Sequence, residues 1–66
     1  MFELNERVRR TRERQNEHGT IIEIDDRRAR ILWDGKPEMA KLHPESNTYR
    51  PKRTWMSLAA IATVKP

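Results

Sequence analysis

Gly19-Thr20-Ile21-Ile22-Glu23-Ile24-Asp25-Asp26-Arg27-Arg28-Ala29-Arg30-Ile31-Leu32-Trp33-Asp34-Gly35 is the stretch that decides the fold. A β-branched run opened by Gly19 and a second apolar run, Ala29 to Asp34, flank the short polar segment Asp25-Asp26-Arg27-Arg28. Such side chains suit a pleated, half-buried surface and a polar link this short suits a tight turn, so the segment predicts a β-hairpin. Side chains alternate between the two faces of a strand. Ala29, Ile31 and Trp33 therefore share one face, with Trp33 expected in the core, while Arg28, Arg30 and Leu32 share the other.

Working outward, Glu6 to Thr11 reads as a strand with Val8 inward and Arg7 and Arg9 outward. Asn5 offers a helix cap, but Phe2, Leu4 and Val8 give no continuous stripe at helical spacing, which counts against a helix. A polar loop from Arg12 to His18 joins this strand to the hairpin. Downstream, Lys36-Pro37 ends the hairpin, and Met39-Ala40-Lys41-Leu42-His43 is expected as a fourth strand stopped by Pro44. Residues 44–53 hold two prolines and no apolar periodicity, the pattern of a loop. In Thr54 to Val64 the spacing of Trp55, Leu58, Ala59 and Ala62 is helical, whereas Ile61, Thr63 and Val64 look like a short strand. A tight turn around Ser57 to Ala59 followed by a closing strand reconciles the two.

The chain is 66 residues long, with 14 Lys and Arg against 10 Asp and Glu, a net charge of +4. Ile, Leu, Val and Phe make up 12 of the 66 residues, just under the roughly 20% below which highly charged chains stay disordered. Near balance of acids and bases, and the placing of Val8, Ile21, Ile22, Ile24, Ile31, Leu32, Ile61 and Val64 on strands, argue instead for one small domain over residues 1–66, its core within about 6–64. A domain of this size buries only about 60% of its unfolded surface and encloses no large substrate pocket alone. An enclosed site therefore calls for an interface between subunits, a possible homo-oligomer. Without cysteine there is no disulfide scaffold, thiol chemistry or Cys-based zinc ribbon, and a reducing cytosol suits the chain. No apolar run reaches a membrane span and the acidic N-terminus is unlike a signal peptide, so the expectation is a cytoplasmic protein with no membrane partner.

Five short strands, a long polar loop after the first, a Gly-initiated second strand and a helical turn before the last resemble an SH3-like small barrel, an all-β fold. The residues carrying the likeness are Arg7-Val8-Arg9, Gly19 to Ile24, Ala29 to Gly35 and Leu58-Ala59-Ala60-Ile61. They are similar to KOW and Tudor-type modules and to small phage-encoded barrels with a Trp-Asp-Gly turn. Glu6-Arg7-Val8-Arg9 and Ala59 to Val64 also resemble the opening and closing segments of type II dihydrofolate reductases, which implies, as a remote alternative, a reductase acting as a homotetramer with a central pore. That family's pore motif, Val-Gln-Ile-Tyr, has as its counterpart Arg53-Thr54-Trp55-Met56, which matches at none of the four positions.

Charge is segregated along the chain. Residues 7–14 carry +4, residues 15–26 carry −4, and residues 27–30 and 50–53 carry +3 each. Arg outnumbers Lys ten to four, and guanidinium groups grip phosphate oxygens bidentately and stack on bases, which suits nucleic acid. The candidate phosphate-neutralising residues are Arg7, Arg9, Arg12, Arg14, Arg28, Arg30, Arg50, Lys52 and Arg53, with Tyr49 as an exposed stacking aromatic. The opposing reading pairs these cations across strands with Glu23, Asp25 and Asp26 on a solvated face. Trp55 reads as a core plug. His18 and His43 lie far apart with no ligand pattern, and the two glycines form no phosphate loop, reading instead as turn or strand-start residues. No catalytic residue, metal or cofactor is expected. The alternative class is a protein-interaction or assembly subunit of phage or mobile-element origin, using edge strands and outward Leu32 as its contact surface. Convergence of the Arg blocks on one face points to nucleic acid; scatter points to a protein partner.

Overall fold

The computed structural model describes residues 1–64. Strands β1 (Arg7–Arg10), β2 (His18–Ile24), β3 (Arg28–Trp33), β4 (Lys52–Ser57) and β5 (Ile61–Thr63) form one antiparallel sheet in the order β4-β3-β2-β1-β5. β4 and β5 lie at opposite ends of that order and do not pair with each other, so the sheet is not closed.

The hairpin forms as the alternation requires. Gly19 faces Trp33, Thr20 faces Leu32 and Ile21 faces Ile31. The sequence Ile21-Ile22-Glu23-Ile24 then breaks alternation, and the ladder responds with a register shift at Ile22, beyond which Glu23 faces Arg30 and Ile24 faces Ala29. Without that extra residue Glu23 would share the core face with Ile21; the bulge returns it to the solvent face. The same shift sets Ile24 opposite buried Ala29, where, as the last residue of β2, it is still 41% exposed; the bulged Ile22 is half-buried. Of the eight apolar residues placed on strands from sequence, Val8, Ile21, Ile31 and Ile61 are buried, and Leu32 and Val64 are half-buried.

Ala29 and Trp33 complete the buried cluster, against which Phe2, Met56 and Leu58 pack. Gly19 is there for close approach. A Cβ on it would lie 2.5 Å from Ile31 Cγ2 and 3.0 Å from Trp33 Cε3, so the bare backbone lets the indole lie across β2. The indole N–H donates to Thr54 Oγ1 at 2.7 Å, which satisfies the one polar atom of a side chain otherwise in the core.

Two elements correct the sequence reading. The segment expected as a fourth strand is the short helix α1 (Pro37–Leu42), with Pro37 in its first turn, Glu38 near its N-terminus and Lys41 near its C-terminus. It has no buried residue, so no apolar stripe marked it in the sequence. The fourth strand is instead Lys52–Ser57, part of which had the composition of a loop. On it Thr54 and Met56 face inward opposite Ile31 and Ala29, while Trp55 faces outward opposite Arg30 and is 41% exposed. Trp55 is not a core plug. The turn before the last strand is a 3-10 turn, Leu58–Ala60, held by Ser57 Oγ accepting from the Ala59 N–H.

Candidate nucleic-acid interface

The ten residues expected to contact nucleic acid do not form one surface. The ladder registers put Arg7, Arg9, Arg28, Arg30 and Arg53 on the outer face of the sheet, away from the core. Three of these five are matched by carboxylates. Arg7 forks onto Asp34, with Nη1 donating to Oδ1 at 2.8 Å and Nη2 to Oδ2, and Nη1 also reaches Thr20 Oγ1 at 2.7 Å. These hydrogen bonds hold the Asp34 carboxyl below the usual carboxylate range, against a smaller opposing effect of burial, and push the guanidinium upward. Arg30 donates to Glu23 at 3.1 Å across the hairpin, and Arg28 lies 3.6 Å from Asp25 with its guanidinium 4.5 Å over the Trp55 ring. Arg9 donates to the Arg10 carbonyl at 3.0 Å, and Arg53 has no acidic partner among the described residues.

The inner side differs. At the end of the sheet where β1 leaves and β2 enters, a cleft of about 570 Å³ opens between the loop 11–17, the end of β3 and the connection 34–51. Its floor is Trp33, with Thr54 beside it. Arg10 lies over the indole at 4.4 Å, held by Glu17 at 3.1 Å and by Met56 Sδ at 3.7 Å. Around the rim stand Arg14, Lys36, Arg50 and Lys52, with Glu17 and Asp34 as the acids, so five cations face two carboxylates. Asp34 is already engaged by Arg7, and Arg14 lies 4.0 Å from Glu17 with its side chain 71% exposed.

The local backbone explains why these groups meet. Gly35 takes φ 70, the left-handed conformation that ends β3 in a sharp turn, and a Cβ there would collide with the Tyr49 carbonyl. The Lys36 N–H donates to that carbonyl at 2.8 Å, which ties the far end of the connection to the strand end. Arg50 Nη2 donates to the Pro44 carbonyl at 2.7 Å, which orients the guanidinium and uses only one of its five N–H donors. Tyr49 is half-buried rather than exposed, its ring 5.6 Å from that of His43 and tilted by 34°.

No protein-family model, curated protein or solved structure matches this chain.

Of the expected residues, Arg14, Tyr49, Arg50 and Lys52 line the cleft, and Arg12 lies just beyond it in the loop. Arg10, Lys36, His18 and Trp33 line it too, and none of them is among the residues expected to contact nucleic acid. For Arg10 the signal was present: with Val8 inward, the residue two positions on must share its face. Among the described residues no group of three or more His, Cys, Asp or Glu side chains is placed to hold a metal ion, and no helix is long and apolar enough to cross a membrane.

Proposed function

We propose that this protein is a non-enzymatic, nucleic-acid-binding module built on an SH3-like small barrel. The sheet order, the long loop after β1 and the 3-10 turn before β5 support the barrel reading. The observation that carries the function is the charge imbalance of the cleft: five cations against two carboxylates, beside an aromatic and in a recess, while carboxylates match most of the outer-face arginines. Phosphates entering the cleft are gripped by Arg14, Arg50, Lys52 and Lys36, and a base lies against Tyr49 or its His43 neighbour.

Binding of fluorescently labelled DNA and RNA measured across a salt series tests this. The logarithm of affinity falls linearly with the logarithm of salt, each neutralised phosphate adding about 0.7 to 0.9 to the slope. Absence of binding at low salt overturns the reading.

A second reading rests on one observation, the exposed Trp55 under Arg28 on the outer face near the unpaired edge of β4. A tryptophan flanked by arginines is typical of the anchors that hold protein partners. A stoichiometric protein complex that survives high salt and is lost in Trp55→Ala favours that reading.

A further inference from the structure

A second recess, of about 420 Å³, lies on the other side of Arg10, bounded by the loop residues Thr11, Arg12 and Glu13 and by Met56 and the 3-10 turn. Arg10 lines both recesses. So does β4, through alternate residues of its inner face: Lys52 and Thr54 line the cleft and Met56 the second recess. Those three positions span about 13 Å along the strand at roughly 3.3 Å per residue. The two hollows are therefore neighbouring parts of one seam, running along the inner side of β4 where the sheet fails to close onto it.

We infer that the ligand is single-stranded nucleic acid, DNA or RNA, laid along this seam from the Tyr49 end, past Arg10, to Arg12. The inference rests on the nucleic-acid reading above and deepens it. Three observations select a single strand over a duplex. Three cations without an acidic partner among the described residues, Lys36, Arg50 and Lys52, stand around a recess, whereas duplex phosphates lie on a rigid convex surface and are reached by groups that project. The outer face, which does project, has most of its arginines matched by Asp34, Glu23 and Asp25. Reading a duplex in its major groove takes a helix or a free two-stranded ribbon; among the described residues the one α-helix is six residues long, in the connection beside the cleft, and hairpin strands β2 and β3 are each paired to a further strand. A single strand has flexible phosphates that enter a cleft and unstacked bases that lie on an aromatic ring.

The seam predicts a length effect. A short oligomer fills the cleft alone, whereas a longer one also reaches Arg12. Anisotropy titrations at low salt compare dT and rU homopolymers of about 4 and about 12 nucleotides with a duplex of the longer length. The longer single strands are expected to bind at least about tenfold more tightly than the duplex. Arg12→Ala is expected to weaken the long strands severalfold and leave the short ones unchanged, and its exposed loop position keeps the fold out of the comparison. Tighter binding of either homopolymer than of the duplex satisfies the proposal, and the ratio of the two homopolymers assigns the contribution of the 2′-hydroxyl. A duplex that binds as tightly as the single strand, or equal loss from Arg12→Ala at both lengths, overturns the seam while leaving nucleic-acid binding intact. If no nucleic acid binds, the broader reading fails with it.

Discussion

The two faces of this sheet carry the same kind of residue to opposite ends. On the outer face Arg7, Arg28 and Arg30 each lie against a carboxylate, so their charge is compensated locally and their donors are occupied. At the cleft the cations outnumber the acids, and Arg10, the most buried of the ion-paired arginines, is held over an indole. An arginine-rich composition alone cannot separate these cases. What separates them is where the fold sets the neighbouring acids: Glu23 on β2, and Asp25 and Asp34 just past the ends of β2 and β3.

The widest expected gap between the faces is in stability. Trp33 is 5% exposed and forms both the core and the cleft floor, whereas Trp55 on the outer face is 41% exposed. Trp33→Ala is expected to lower the unfolding free energy by about 3–5 kcal/mol, enough to unfold most of a domain this small. Trp55→Ala is expected to cost about 1 kcal/mol or less, since it loses partial burial and one cation–π contact. Denaturant melts of the two variants compare them, and similar losses would erase the distinction between core and outer tryptophan.

Next comes binding. Replacing Arg50 and Lys52 together by Ala removes two cleft cations and is expected to reduce the salt slope for a single strand by about 1.4, with affinity falling about tenfold or more at low salt. Arg28→Ala with Arg30→Ala removes the same charge from the outer face, leaves Asp25 and Glu23 unmatched, and is expected to change the slope little. Equal effects from the two pairs would mean that local pairing does not govern which arginines bind.

The smallest effect is on the pH dependence of stability. Because Arg7 lowers the folded value of Asp34, this pair stabilises the fold at pH above the ordinary carboxylate value of about 3.9 and loses that contribution as pH falls below it. Both side chains are nearly half exposed, which limits the contribution to below about 1 kcal/mol. Asp34→Asn is expected to flatten that part of the acid limb in melts between about pH 5 and pH 2.5, and an unchanged acid limb would show the pair to be energetically silent.

The hairpin was legible because its second strand alternates without a fault and its turn is polar. β1 and the turn before β5 were legible for similar local reasons, Val8 between arginines and Ser57 before small residues. β4 was hidden because its largest apolar residue faces solvent and its inward residues are Thr54 and Met56, so hydrophobicity runs out of phase with burial. Helix α1 was hidden because it buries nothing and stands on the geometry of Pro37 and its flanking turns. The site was half legible. Arg14, Tyr49, Arg50 and Lys52 converge because the turn at Gly35 draws the connection back over the strand ends, and no count of charge along the chain contains that turn. Outer-face pairing was foreseen through Glu23 and Asp25, but the Arg7 partner, Asp34, lies 27 residues away and only the fold brings it near.

The indole of Trp33 beneath the Arg10 guanidinium has an optical consequence. A positive charge held 4.4 Å from the ring shifts the energy of its excited state, and under the proposed binding a phosphate arriving at Arg10 would neutralise part of that charge. The chain's other tryptophan sits on the opposite face, so in a Trp55→Phe background the remaining emission comes from the cleft floor alone. Occupancy of the seam is then readable from the colour of the protein's own fluorescence, with no label on protein or ligand.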